Sequence, residues 1–341
     1  GWDIWPTLQG WDHDGDSVLV TAQEDGRLPL SRVHPTGAVT RLHDTDAVQS
    51  ARAVPGGWVG LGDRVGRPPR VIGARGVAAL SWPQPSPDAT ASRWRRSHGA
   101  DGAAIHTLVV PAIGEPRGTL LWVHGGPLSQ WSDAWHPRWN ATVFANAGYT
   151  VVMPNPRGSL GRGQAFADAV GGNRWGAACV DDLHRALDEA GEDPAINLDN
   201  VAVMGASFGG WAAAWLAGTC TRFRCAVVHA GLSKMSAAHG ETDVPGFLER
   251  HLGGRPEHAD MDRFSPVRNA TTWRTPTLIT HGEHDYRVPI GEALRLFEAL
   301  QRHEVDSELL VFPDAHHWLV RPVDIEDWHE AVFGFLTLHM G

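Results

Sequence analysis

Short apolar runs alternate with amphipathic stretches over the C-terminal two thirds of the chain. Runs at 106–110, 119–123, 150–154, 201–204, 226–228, 277–280 and 308–312 have the length and side chains of buried strands. Between them, the polar and apolar spacing predicts helices near 139–147, 180–190, 210–217, 291–301 and 324–338. Regular alternation of this kind implies an α/β fold: a mainly parallel, doubly wound sheet with helices on both faces and right-handed crossovers. Ligand-binding loops then lie at the carboxyl ends of the strands.

Residues 1–83 break this rhythm. Short β-like runs at 17–21 and 28–33 flank an Asp25-Gly26 turn, and further pieces follow at 57–62 and 71–79. Short strands separated by turn residues are the material of propeller blades. At roughly 40–50 residues per blade the segment has room for about two. Two blades cannot close a ring and leave open edges. The expectation is that the chain is the C-terminal piece of a longer protein or that its blades pair with a second polypeptide, the former being preferred. The proline-rich stretch at 84–96 reads as a linker into an α/β domain at 97–341.

One expected turn in that domain carries chemistry. The run Val201-Ala202-Val203-Met204-Gly205-Ala206-Ser207-Phe208-Gly209-Gly210-Trp211 places G-x-S-x-G between a strand and a helix. Small residues two before and two after the serine let the backbone turn sharply and leave the hydroxyl of Ser207 exposed, as a nucleophile requires. A serine needs a base within reach, and the base needs an acid to fix its tautomer. In this fold the partners follow as acid, then histidine, on loops after later strands. The loop after 275–280 offers Glu283 and Asp285, and the loop after 308–312 offers His316 and His317. Order along the chain leaves both pairs open. An oxyanion hole needs N–H donors. One would be the N–H of Phe208, and the other would come from His124-Gly125-Gly126-Pro127 after an early strand. Proline has no N–H, so Gly125 or Gly126 is the candidate.

Five separate motifs, in this order, resemble the prolyl oligopeptidase family of serine peptidases, in particular its acylaminoacyl-peptidase and bacterial dipeptidyl-peptidase-like branch. They are Val123-His124-Gly125-Gly126-Pro127, Asn155-Pro156-Arg157-Gly158-Ser159, Gly205-Ala206-Ser207-Phe208-Gly209-Gly210, Asp285-Tyr286-Arg287-Val288-Pro289 and Phe312-Pro313-Asp314-Ala315-His316-His317-Trp318. The resemblance implies an α/β-hydrolase fold with Asp285 as the acid, His317 as the base and His316 as a non-catalytic neighbour. It also implies a propeller ahead of the hydrolase domain, and Trp11-Asp12-His13-Asp14-Gly15-Asp16 is similar to that propeller's blade openings. The implied activity is hydrolysis of short peptides, of aminopeptidase, acylaminoacyl-peptidase or dipeptidyl-peptidase type. A carboxylesterase or amidase of the same fold and a non-catalytic binding subunit are the alternatives. Trp211 and Trp318 adjoin the expected site and are expected to line a pocket.

Composition narrows the partners. A net charge of −10 without a basic cluster argues against nucleic acid, and Lys234 is the sole lysine. Three cysteines, Cys179, Cys220 and Cys225, are an odd, sparse set that reads as free thiols, and the expected compartment is the cytoplasm. No 18-residue apolar run is present, so no membrane span is expected. The 19 histidines include no H-E-x-x-H pattern, and the glycine-rich 158–163 lacks the spacing of a phosphate loop. Neither metal nor cofactor is called for. Asp181-Asp182 reads as the exposed first turn of a helix, where acids are favoured. The expected partners are a short peptide or small amide substrate, and either the remaining propeller as a second chain or a second copy of this one.

Overall fold

Strands with no polar face fix the centre of the molecule. In the structure, a computed structural model that describes residues 6–73, 92–257 and 260–341, β10 (Gly118–Val123), β11 (Tyr149–Asn155), β13 (Cys225–His229) and β14 (Thr277–Gly282) are buried at every position. Strands of this type need a covered sheet on both faces. They sit with β8 (Arg93–His98), β9 (Ala104–Val110), β12 (Val201–Ala206) and β15 (Ser307–Phe312) in one eight-stranded sheet, ordered β15-β14-β13-β12-β10-β11-β9-β8. Pairing is antiparallel at β8/β9 and β9/β11 and parallel from β11 to β15.

Helices cover both faces. On one side α3 (Val180–Ala190), α4 (Phe208–Thr219) and α7 (Gly291–Arg302) contribute Leu183, Leu187, Trp211, Leu216 and Leu296. On the other, α1 (Ala141–Asn146) and α8 (Pro322–Met340) pack Phe144, Trp328 and Phe335 against Trp122 and Met204. The short helices α2 (Gln164–Asp168), α5 (Met235–His239) and α6 (Pro245–Leu252) lie in connections beyond the strand ends.

The N-terminal region is all β. A four-stranded antiparallel sheet holds β1 (Thr7–Trp11), β2 (Val18–Thr21), β3 (Leu30–Val33) and β4 (Val39–His43), and a three-stranded one holds β5 (Ala47–Val54), β6 (Gly57–Arg64) and β7 (Arg67–Gly73). Leu19, Leu30, Val48, Trp58 and Ile72 form a small core between them. β1, β4 and β5 escape a periodicity reading because polar and charged residues interrupt them, as in the exposed Val39-Thr40-Arg41 of β4. The piece expected at 71–79 starts earlier, at Arg67, and its residues from 74 on lie outside the described residues. So does 84–91 of the expected linker, whereas Arg93–His98 is the edge strand β8, paired to β9 along its length.

Both β sheets grip one loop of the α/β part, 127–140. At the Asp25-Gly26 turn, Gly26 N donates to Gln130 Oε1 at 3.0 Å and Gln130 Nε2 donates to Arg27 O at 3.2 Å. Gly26 is at φ +75°, and a Cβ there would overlap the Trp94 ring. At the β6–β7 hairpin, Val65 N donates to Asp133 Oδ1 (3.0 Å), Thr142 Oγ1 donates to Val65 O (3.0 Å), and Trp135 N donates to Asp63 Oδ1 (3.1 Å). A second long-range tie corrects an expectation. Asp181 is partly exposed and pairs with Arg185, but Asp182 is fully buried and accepts from Arg157 Nε at 2.8 Å and Nη2 at 2.5 Å. A carboxylate so buried is held by the bidentate guanidinium rather than by solvent.

Asp63 yields a pH prediction. Burial pushes its carboxyl up to about 6, against the hydrogen bonds from Trp135 and Gln49, and Asp46 and Asp133 add repulsion. Between about pH 4 and 6 the folded chain keeps a proton that the unfolded chain has lost, so stability falls as pH rises through that window. Asp63→Asn keeps the acceptor for Trp135 and removes this dependence. Its melting temperature is expected to exceed the wild type's at pH 7 and to match it near pH 4. Equal differences at both pH values would refute the assignment.

Candidate active site

Two neighbouring strands deliver the first parts of the site. β10 and β12 pair in parallel with Val123 opposite Gly205, so the residues two further on, Gly125 and Ser207, emerge side by side. A Cβ on Gly125 would lie 3.6 Å from Ser207 Cβ. Ser207 itself has φ +61° and ψ −119°, a backbone that side chains rarely adopt, immediately before α4. The turn closes because its flanks are bare. A Cβ on Gly205 would sit 2.3 Å from Gly209 O, and one on Gly209 would sit 2.0 Å from Val123 O. Ser207 N donates to His229 O (3.0 Å), which anchors the turn to β13. As the first residue of α4, Phe208 has an N–H with no acceptor in the preceding turn.

The glycine loop beside it is equally fixed. His124 is buried, and burial pushes its pKa down to about 4, so the ring is neutral. Its Nδ1 donates to Gly125 O at 2.7 Å and its Nε2 meets the Ser159 hydroxyl at 2.8 Å. Asn155 exchanges two hydrogen bonds with the backbone of Trp131. The segment 155–159 thus braces both ends of the glycine loop.

β14 and β15 deliver the other parts. Beyond their last pair, Gly282 opposite Phe312, the two loops zip together through Glu283 N to Phe312 O (3.0 Å) and His284 N to Ala315 O (2.9 Å). This brings Asp285 and His317 into contact: Nδ1 of His317 is 2.7 Å from Asp285 Oδ2. Glu283 and His316 stay exposed, His316 accepting only a local bond from Trp318 N. The other carboxylate oxygen, Oδ1, accepts from the N–H groups of Arg287 and Val288, each at 2.9 Å. Burial alone would raise the pKa of Asp285, but hydrogen bonds from His281 and His317 outweigh it and hold the carboxyl well below its usual range. An ionised Asp285 accepts, so Nδ1 of His317 carries a proton, and in the neutral ring Nε2 has a lone pair.

Ser207, Phe208, Gly125, Gly126, His317 and Trp318 all line one cavity of about 610 Å³. Its aromatic wall runs Phe208–Trp175–His251–Phe247, with successive ring centroids 4.8, 6.1 and 4.2 Å apart. Val244, Leu248 and Val288 extend it. Trp211 is not part of this wall. It is fully buried one helical turn after Ser207, packs behind Phe208 and Trp175, and donates from Nε1 to Phe264 O at 2.8 Å. The sequence reading missed α6, which supplies Phe247, Leu248 and His251. Its signals were present: Pro245 in the first turn and Gly253 at φ +87° just past the end. Among the described residues no cluster of His, Cys, Asp and Glu could hold a metal. Nor is any described helix long and apolar enough to cross a membrane.

A profile of the prolyl oligopeptidase family matches residues 135–341. The chain belongs to that family. The dipeptidyl-peptidase 5 of Aspergillus fumigatus (strain CBS 144.89 / FGSC A1163 / CEA10) is 36% identical over 230 residues, 65% of this chain and 32% of its own length. The probable dipeptidyl-peptidase 5 of Aspergillus clavatus is 36% identical across 100% of this chain and 50% of its own. The chain therefore spans half or less of these relatives. Among solved structures, uncomplexed Pyrococcus horikoshii acylaminoacyl peptidase has a TM-score of 0.85 at 20% identity, over 95% of this chain and 55% of that one. A Mycobacterium tuberculosis puromycin-hydrolyzing peptidase has a TM-score of 0.83 at 23% identity, over 97% and 53%. These similarities show the family's fold across both the all-β region and the α/β domain.

The elbow makes a sharp prediction. Gly209→Ala forces its Cβ into a backbone oxygen, which neither α4 nor β10 can yield without moving, at a cost of roughly 3 kcal/mol or more. The melting temperature should fall by roughly 5 °C or more. An unchanged thermal melt would show that the turn tolerates a side chain.

Proposed function

We propose that this chain is the catalytic portion of a serine peptidase that cleaves short peptides as a dipeptidyl peptidase, through an acyl-enzyme on Ser207. The observation that carries the reading is the 2.7 Å contact of His317 Nδ1 with the ionised Asp285, in a cavity that Ser207 also lines. Nε2 of His317 takes the Ser207 proton as Oγ attacks the scissile carbonyl. Phe208 N–H and an N–H from Gly125 or Gly126 stabilise the oxyanion. His317 then protonates the departing amine, and water, activated by the same nitrogen, releases the acyl group. The aromatic and aliphatic wall suits an apolar side chain on the acyl residue. The dipeptidyl type is supported by the sequence relatives, both of which carry that name.

A panel of free aminoacyl, acetylated aminoacyl and dipeptidyl p-nitroanilides tests this, run beside p-nitrophenyl esters. The dipeptidyl anilides should be the preferred substrates. Ser207→Ala should abolish turnover, and Asp285→Asn should lower kcat by roughly 10⁴, because the imidazole loses its tautomer anchor. Cleavage of esters alone would make the chain an esterase. No turnover, together with no fluorophosphonate adduct on Ser207, would leave a binding subunit.

A further inference from the structure

One half-buried cation in the catalytic cavity has no counter-charge among the described residues. Arg138 is half-buried, and among the described residues no carboxylate pairs with it. Burial alone pulls its pKa down. The other arginines that line the cavity differ: Arg287 is paired with Asp243 at 2.7 Å, and Arg250 is exposed. The guanidinium lies over the Trp318 ring, with Cζ 4.7 Å from its centroid.

A second polar group lies beside it. Nδ1 of His136 accepts the backbone N–H groups of Arg138 and Trp139, each at 3.1 Å. That nitrogen is therefore unprotonated, and burial, with Arg138 beside it, pushes the pKa of His136 down to about 4. The neutral ring must carry its hydrogen on Nε2. Nε2 lies 3.4 Å from Arg138 Nη2, so the imidazole and the guanidinium sit side by side on the cavity wall. Both residues line the catalytic cavity, where a carboxylate oxygen seated beside them can accept from each. Desolvating a guanidinium without an anion is costly, and charge-assisted bonds to a carboxylate are about twice as strong as neutral ones.

The position of this pair identifies which end of a substrate it meets. His317 hands its proton to the departing amine, so the leaving group lies beside His317. Trp318 follows in sequence with its ring centroid 5.0 Å from the histidine ring, and Arg138 stacks on Trp318. We propose that Arg138 and His136 form a subsite for the free α-carboxylate of the leaving group, so that the enzyme selects peptides ending one or two residues beyond the scissile bond. The proposal rests on the acyl-transfer reading of Ser207 and His317.

The test uses a tripeptide and a tetrapeptide, each as the free acid and as the C-terminal amide, beside a dipeptidyl p-nitroanilide. Wild type should favour acid over amide by roughly 10- to 100-fold in kcat/KM for at least one length. Arg138→Gln should bring that ratio to about one, and Arg138→Lys should hold it in between. Because the ratio is taken within one enzyme preparation, losses from partial unfolding cancel. Wild type cleaving acid and amide alike while turning over the anilide would overturn the subsite and leave the peptidase standing. A ratio that survives in Arg138→Gln would also overturn it. Inactivity on every substrate would sink the peptidase reading, and this one with it.

Discussion

Everything at the site depends on how closely the first turn of α4 approaches the end of β10. Backbone meets backbone there, with a hypothetical Cβ on Gly209 only 2.0 Å from Val123 O. That approach sets Gly125 beside Ser207. It also pins the serine in a backbone conformation that an unconstrained chain would leave. The strain is held by two buried faces of the sheet and by the bond from Ser207 N to His229 O, not by the turn itself.

The histidine and its acid are held by a different device. Their loops contribute few side chains to the core and instead zip to each other by backbone hydrogen bonds past the ends of β14 and β15. Asp285 satisfies one oxygen with two backbone N–H groups and keeps the other for His317. A carboxylate bound on both oxygens has little freedom to rotate, so the ring it holds has one orientation. His229 and Thr280, both buried, are joined at 2.8 Å, and burial keeps His229 neutral.

Features whose causes are local could be read from the chain. The elbow depends on glycines two residues from Ser207, and the central strands on unbroken apolar runs, so both were legible. α3 matches its expected span, 180–190. Asp285 and His317 needed a family resemblance, since four candidates shared two loops and only tertiary pairing separates them. Features that depend on distant partners were not legible. Asp182 looks like a solvated acid until Arg157 is placed against it, and Trp211 looks like pocket lining until Phe208 and Trp175 are seen in front of it. The cavity wall was missed for the same reason. It is assembled from loop 127–140, the kinked turn Trp175–Cys179 and α6, none of which has a long enough period to announce itself.

The ties from the all-β region to loop 127–140 bear on modularity. The loop that carries Trp131, Trp135, His136 and Arg138 is fastened to residues that lie 68 to 104 positions earlier in the chain. The eight-stranded sheet with its helices is therefore not a self-sufficient cassette. A portable version of this site, moved by domain grafting into another scaffold, has to bring along the turn around Gly26 and the hairpin around Val65, because part of the cavity's shape is written in them.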